Sequence, residues 1–149
     1  MNILFIHQNY PGQFKHLVPS LVKQGHNVIG MTMQENKSDN FAGSKVLFYK
    51  PSRGSSPNVH PWVRDIETQV IRAEACLWRA LKLKESGFNP DLIIAHHGWG
   101  ESLFLKDVWP DAKLGIYCEF YYLNDGADVG FDPEFPPEDL GDKYRLKLK

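Results

Sequence analysis

Cysteine is scarce in this chain. Cys76 and Cys118 are the only two in 149 residues, too few for the disulfide framework of a small secreted domain and without metal-ligand spacing. Both lie in apolar segments, so buried thiols are expected, and a reducing, cytoplasmic setting is favoured. An excess of one charge is also missing. Seventeen Lys and Arg stand against eighteen Asp and Glu, a formal net charge of -1, so no global field recruits nucleic acid or an anionic membrane. No apolar run approaches the length needed to span a bilayer. The stretch Asn2–Ile6 is too short for a signal peptide and lacks a basic flank and a cleavage site. The phosphate-binding fingerprints GxGxxG and GxxxxGK[ST] do not occur, which argues against a dinucleotide site or a P-loop. There is no internal repeat and no low-complexity tract.

What is present is enough for a core: 42% hydrophobic and 13% aromatic residues, in a length that suits one domain or a piece of a larger protein. Asn2–His7 is a short continuous apolar run closed by a turn, the pattern of a buried parallel strand. Phe14, Leu17, Val18, Leu21 and Val22 recur at helical spacing. Pro19 is expected to kink that helix or limit its first half, and Gly25 to stop it. Asn27–Met33 and Lys45–Tyr49 read as the second and third strands. A Pro-, Ser- and Gly-rich loop spans Pro51–Pro61. A long helix follows, with Val63, Ile66, Val70, Ala73, Leu77, Ala80 and Leu81 as its apolar stripe and Arg72 among its outer residues; Gly87 ends it. Asp91–Ala95 is the fourth strand, Glu101–Val108 a short helix, and Lys113–Cys118 the fifth strand. Strands alternating with helices imply an α/β fold: a parallel sheet in the order 3-2-1-4-5 with helices on both faces.

In such a sheet, ligands bind beyond the carboxyl ends of the strands where the strand order reverses. Strands one and four meet at that point. The segments leaving them, "HQNYPGQF" and "HHGWGES", are the two most unusual loops in the chain, and each contains His, Gly and an aromatic residue. In the first, His7 leads into Pro11-Gly12-Gln13. Gly12 lets a ligand approach the backbone, and a helix beginning near Gln13 would attract phosphate; a plain turn is the alternative. In the second, His96 and His97 lie close to Trp99 and Glu101. A His beside a carboxylate can serve as acid, base or orienting group; the alternative is one His packed inward and the other hydrogen-bonded locally. No HxH, HExxH or Cys partner suggests a metal site. Glu119 follows the fifth strand among Phe120, Tyr121 and Tyr122. It is either a functional acid at a strand's carboxyl end or a surface residue. Arg53, Gly54 and His60 are candidates for the cleft rim.

The segments "MNILFIHQNYPGQFKHLVPSLVKQGHNV", "RGSSPNVHPWVRDIETQVIRAEA", "AHHGWGESLFLKDVWPDAKLGIYCEFYY" and "GADVGFDPEFPP" together resemble the amino-terminal domain of bacterial family-4 glycosyltransferases over nearly the whole chain. The resemblance implies a Rossmann-like domain, residues 1–149, forming the acceptor side of a two-domain GT-B enzyme. Such enzymes move a sugar from a nucleotide-sugar to an acceptor hydroxyl with retention of configuration. The nucleotide-sugar is a co-substrate, with no further cofactor and no metal. The acceptor would be a sugar or a lipid-linked sugar in polysaccharide or lipopolysaccharide assembly, in the cytoplasm or at the inner face of the membrane. The C-terminal nucleotide-sugar domain is not in this chain, so the 149 residues alone are expected to transfer nothing. The resemblance places Pro11, Gly12 and Gln13 near the donor phosphates; the position of the loops at the strand ends makes Glu119, His96 and His97 the expected catalytic residues and puts His7, Trp99, Glu101 and Tyr121 in the acceptor cleft. Many members have a His after the fifth strand; this chain has Cys118-Glu119-Phe120 there. Two other readings remain from the residues themselves. One is a free-standing flavodoxin-like or nucleotide-binding module that regulates a partner. The other is a nicotinamide-dependent enzyme with Glu35 as its ribose acid, weakened by the missing glycine fingerprint.

Overall fold

The computed structural model describes residues 1–35 and 38–119, with Leu123, residues 132–134, Gly141, Tyr144, Arg145 and Leu148 beyond them. Among the described residues, β1 (Asn2–Ile6), β2 (Asn27–Thr32), β3 (Asn40–Phe41), β4 (Ser44–Phe48), β5 (Leu92–His96) and β6 (Lys113–Tyr117) form one sheet in the order β3-β4-β2-β1-β5-β6. All pairings are parallel except β3 with β4. The five parallel strands have the expected order. The extra strand β3 comes from a tight hairpin turned by Ala42 and Gly43, at φ 49 and 89. Two successive positive φ values define a hairpin turn whose usual signature is Asn-Gly or Asp-Gly, so Ala-Gly gave no warning of it.

The period-2 alternation of the strands divides the core in two. Ile3, Phe5 and Val28 face α1 (Leu17–Lys23) and pack with Tyr10, Phe14 and Val18. Leu4, Ile6, Ile29, Met31, Ile93 and Ala95 face α2 (Arg64–Glu85) and α3 (Leu105–Val108). Helices therefore cover both faces. Residues as deeply buried as Leu4, Phe5 and Ile93 each contribute about 1.5–3 kcal/mol by leaving water.

Several local expectations change. Gly12–Lys15 form a single 3-10 turn, and α1 begins only at Leu17. Pro19 then lies in the first turn of α1, where its missing N–H costs no intrahelical bond, and no kink is required. No α-helix amino terminus adjoins Gly12, so the expected dipole attraction for phosphate there is lost. Glu101–Phe104 are turns, and α3 is confined to its four residues. The stripe of α2 is rotated from the expected one. Ile71, Ala73, Cys76, Ala80 and Leu83 are its buried residues, while Val63 and Val70 are 38% and 45% exposed. Cys76, Ala80 and Leu83 pack in the core cluster with Leu4, Ile6 and Ile93 of the sheet, which fixes the buried stripe of the helix. Cys76 is the buried thiol expected; Cys118 is exposed, because it lies beyond the end of β6 rather than within it.

Helix ends behave as the glycines suggest. Gly25 N–H donates to Val22 O and His26 N–H to Leu21 O, and Gly87 and Phe88 repeat the pattern after α2. Both are paired bonds that close the last carbonyls of a helix. Asp65 and Glu67 at the start of α2, and Lys82 and Lys84 at its end, complement its dipole. No helix among the described residues is long and apolar enough to cross a membrane.

Candidate functional site

The parallel register brings the two unusual loops together. Ile6 pairs with Ala95, and His96 pairs with Tyr117. His7 follows β1 and His96 closes β5, so the two rings are neighbours at the carboxyl edge, 4.6 Å between centroids. By parity both project to the α1 face. Phe14 meets His7 and Tyr117 edge-on, and Tyr117 stacks on His96 at 6.1 Å. Two aromatic rings, Phe14 and Tyr117, thus flank the two imidazoles, and His7 and His96 are only 5% and 8% exposed.

Glu119 returns across this edge. Its Oε2 lies 2.9 Å from His96 Nε2, and its Oε1 accepts from the Gln13 side-chain amide. The approach to His96 is close but poorly aligned: both His96 ring nitrogens are buried, and neither has a well-directed hydrogen bond. The imidazole of His96, then the amide of Gln13, hold the Glu119 carboxyl below its ordinary range, so it is ionised at neutral pH. The structure joins His7, Gln13, His96 and Glu119, from three separate loops, in one group. It can accept and donate hydrogen bonds to a hydroxyl, and Glu119 carries the charge.

Gly12 has a reason for being glycine that the sequence did not suggest. Its φ is +47, and a Cβ there would lie 2.6 Å from Cε1 and Nε2 of His7. The space that a side chain would fill belongs to the His7 ring. His7 is in turn oriented through Nδ1, which accepts from Asn9 N–H at 2.8 Å. In the neutral ring this leaves the proton on Nε2, turned toward Gly12. Pro11 precedes it across a cis peptide bond from Tyr10. Tyr10 is fully buried, lies against Gly30, and bonds Ser44 Oγ through its hydroxyl at 2.8 Å.

The other candidates lie apart. His97 is exposed and held by its backbone, N–H to Tyr117 O at 3.1 Å. Glu101 is on the opposite, α2 face and only 3% exposed. It accepts from Tyr49 Oη at 3.0 Å, and burial raises its pKa. It stands inside the wall of the fold rather than in an open cleft. Trp99 is 41% exposed, with Arg72 Cζ 5.0 Å from its ring centre. Arg53 pairs with Glu67 of α2 at 2.9 Å, which pins the loop after β4 to that helix. Glu35 is exposed and 3.7 Å from Lys50. Tyr121 lies outside the described residues. Among the described residues, no group of three His, Cys, Asp or Glu side chains is arranged to hold a metal ion.

Sequence reasoning missed Tyr49, Gln69 and Arg72 as neighbours of the loops. A signal existed: α2 follows a strand's carboxyl end, so its first turns must pass over the carboxyl edge. The sequence matches the family described as Glycosyl transferase family 4 group over residues 24–149. The chain belongs to that family. No curated protein matches it. The matched span includes the β5 loop and Glu119 but begins after "HQNYPGQF". In this family-4 domain, the first loop's part in the site therefore stands on geometry alone: the His7–His96 stack and the Gln13–Glu119 bond.

Proposed function

We propose that this domain forms the acceptor side of a retaining, two-domain glycosyltransferase. It would move a sugar from a nucleotide-sugar to an acceptor hydroxyl in polysaccharide or lipopolysaccharide assembly. The observation that carries the reading is the meeting of His7, Gln13, His96 and Glu119 where strand order reverses, in a chain of the glycosyl transferase family 4 group. Glu119 and His96 then contact a hydroxyl of the transferred sugar, with His97 beside them at the surface. Gln13 orients Glu119, and Pro11-Gly12 pass the donor phosphates. His7 and Glu101 support the cleft from within, and Trp99 lines its acceptor side.

On this reading the chain by itself is inactive. The leaving diphosphate needs groups from a second, nucleotide-binding domain, and stabilising developing charge is usually the largest catalytic contribution. The test supplies labelled nucleotide-sugars and sugar acceptors to two proteins: this chain, and this chain joined to the nucleotide-binding domain of a family member. Transfer is expected only from the second, with the product anomer matching the donor by NMR, and with loss of transfer in Glu119→Gln. Transfer by the chain alone would contradict the half-site reading. Inversion, or unimpaired transfer by Glu119→Gln, would contradict the assigned chemistry.

A further inference from the structure

Arg72 occupies an unusual position. It projects from α2 to the carboxyl edge and touches both loops there. Its Nη1 lies 3.4 Å from Gln8 Oε1 in the β1 loop, and its Cζ sits 5.0 Å from the centre of the Trp99 ring in the β5 loop. It is half-buried. Among the described residues, no carboxylate lies within ion-pair distance of it. The buried acid on this face, Glu101, accepts from the Tyr49 hydroxyl and feels the Arg72 charge through space, without an ion pair. A guanidinium carries five donors, and the single contact to Gln8 is long. A cation partly removed from water, with one side-chain hydrogen bond among the described residues, is a prepared site for an oxyanion, which a guanidinium binds through two parallel bonds.

Trp99 supplies the second half. Its loop is seated on α2, where Gln69 Nε2 donates to Gly98 O at 3.1 Å. Gly98 and Gly100 have φ +95 and +97, and a Cβ on Gly100 would run into the backbone carbonyl of Gln69. The loop therefore has little freedom to move away, and Trp99 is held in place at 41% exposure. Arg72 covers one face of the indole. The exposed part of the indole is an electron-rich surface of the kind that the C–H faces of sugar rings pack against.

We infer that Arg72, Gln8 and Trp99 form a subsite for an acidic saccharide, a sugar ring bearing a carboxylate or a phosphate. That this ligand is the acceptor rests on the reading above; that it binds here does not. Arg72 grips the oxyanion, Gln8 offers its amide beside it, and Trp99 carries the ring. The subsite lies on the α2 side of the carboxyl edge, and the His96–Glu119 group lies on the α1 side.

The experiment is an NMR titration of the full 149-residue chain with glucuronic acid, glucose 6-phosphate, glucose and inorganic phosphate. The readouts are the Trp99 indole N–H and the Arg72 Nε–H signals. One of the two acidic sugars is expected to bind at least about tenfold more tightly than glucose, a difference of about 1.4 kcal/mol, and to shift both signals. The tighter of the two identifies the oxyanion, and inorganic phosphate without the ring is expected to bind more weakly than glucose 6-phosphate. Arg72→Gln should reduce the acidic sugars to the affinity of glucose, while Trp99→Leu weakens all three sugars. If Arg72→Gln does not fold, Trp99→Leu and the weakening of acidic-sugar binding by salt carry the test. Equal affinity for acidic and neutral sugars, or shifts confined to residues away from Arg72 and Trp99, overturns the inference. Acidic-sugar binding with no transferase activity in the completed enzyme would leave the subsite standing and remove the acceptor role. Transfer by the completed enzyme, with acidic and neutral sugars binding this chain equally, would remove the subsite and leave the transferase.

Discussion

The close approach of the His7 ring to Gly12 sets a quantitative test. Gly12→Ala places a methyl group where the His7 ring now stands. Two costs arise and they can be separated. The first is backbone strain, since φ at Gly12 is +47 and an L-residue pays about 1–2 kcal/mol in that region. The second is steric. The new Cβ would lie 2.6 Å from two ring atoms of His7 and 2.9 Å from a third. That ring is packed against His96 and Phe14, so it cannot swing aside freely, and overpacking of this kind costs about 1–3 kcal/mol. The sum is about 2–5 kcal/mol, or a fall in thermal midpoint of about 4–20 °C for a domain of this size. The assay is a double-mutant cycle by urea denaturation with Gly12→Ala, His7→Ala and the pair. Removing the ring should relieve the steric part and leave the strain, giving a favourable coupling of about 1–3 kcal/mol. A Gly12→Ala cost within about 0.5 kcal/mol, or a cost that persists in full in the His7→Ala background, would refute the reasoning. The same numbers alter what activity data on Gly12 can mean. Had the position been vacant, its substitution would have tested the approach of donor phosphates. Because the His7 ring fills it, lost activity would follow lost folding, and Glu119→Gln is the sharper probe of chemistry.

Three further outcomes are expected. Glu119 has its folded pKa below the ordinary 4.5, so its stabilising contribution is present above that value and lost as pH falls through the folded one; urea midpoints of Glu119→Gln should lie below wild type at pH 7 and converge with it in acid. Glu101 has its pKa raised from 4.5 by burial, so its contribution is present below that value and lost as pH rises through the folded one; the stability of Glu101→Gln relative to wild type should therefore improve between pH 4 and neutral pH, and a flat difference across that window would show that the carboxyl is not desolvated. Gly100→Ala sets a Cβ against the backbone of Gln69 at φ +97, where no side chain can yield; it should destabilise the chain more than Gly12→Ala does, and a neutral result by thermal denaturation would mean that the β5 loop is not seated on α2.

The parts of this fold that were legible in the sequence share a physical cause. The continuous apolar runs at Asn2–Ile6 and Leu92–Ala95 have to be covered on both faces, which forces parallel central strands, and parallel strands force crossovers and a strand order. Gly25 and Gly87 stop helices because the chain needs a left-handed residue there. What was illegible depended on tertiary packing. The buried stripe of α2 runs through Ile71, Ala73, Cys76, Ala80 and Leu83, which a count of apolar residues does not reveal. Val63 and Val70 satisfy the helical period and still face solvent. The meeting of the His7 and His96 loops was legible because register follows from strand order. That Glu119 would turn back to meet Gln13 was not, since nothing in "YCEF" fixes the direction of a side chain beyond a strand's end.

The pairing of His96 with Glu119 also shows how a different residue set can occupy the end of β6. On the proposed reading, the position after this strand is where an imidazole would meet the transferred sugar, and here it holds an acid. Adjacent parallel strands lie about 4.8 Å apart, and His96 is opposite Tyr117 in register. Supplying the imidazole from β5 therefore moves it by about one strand spacing, a distance that a Glu side chain two residues past β6 can close. The two arrangements differ chemically. A neutral imidazole offers a hydroxyl one donor or one acceptor. The pair adds a carboxylate that is ionised at neutral pH and anchored through Oε1 by Gln13 from the β1 loop. An anchored acceptor of fixed charge favours a ligand that presents hydrogen-bond donors, as a sugar hydroxyl does, and disfavours one that presents a bare phosphate. The negative charge at Glu119 and the positive charge at Arg72 thus lie on opposite faces of one sheet edge, a separation suited to a hydroxyl on the α1 side and an oxyanion on the α2 side.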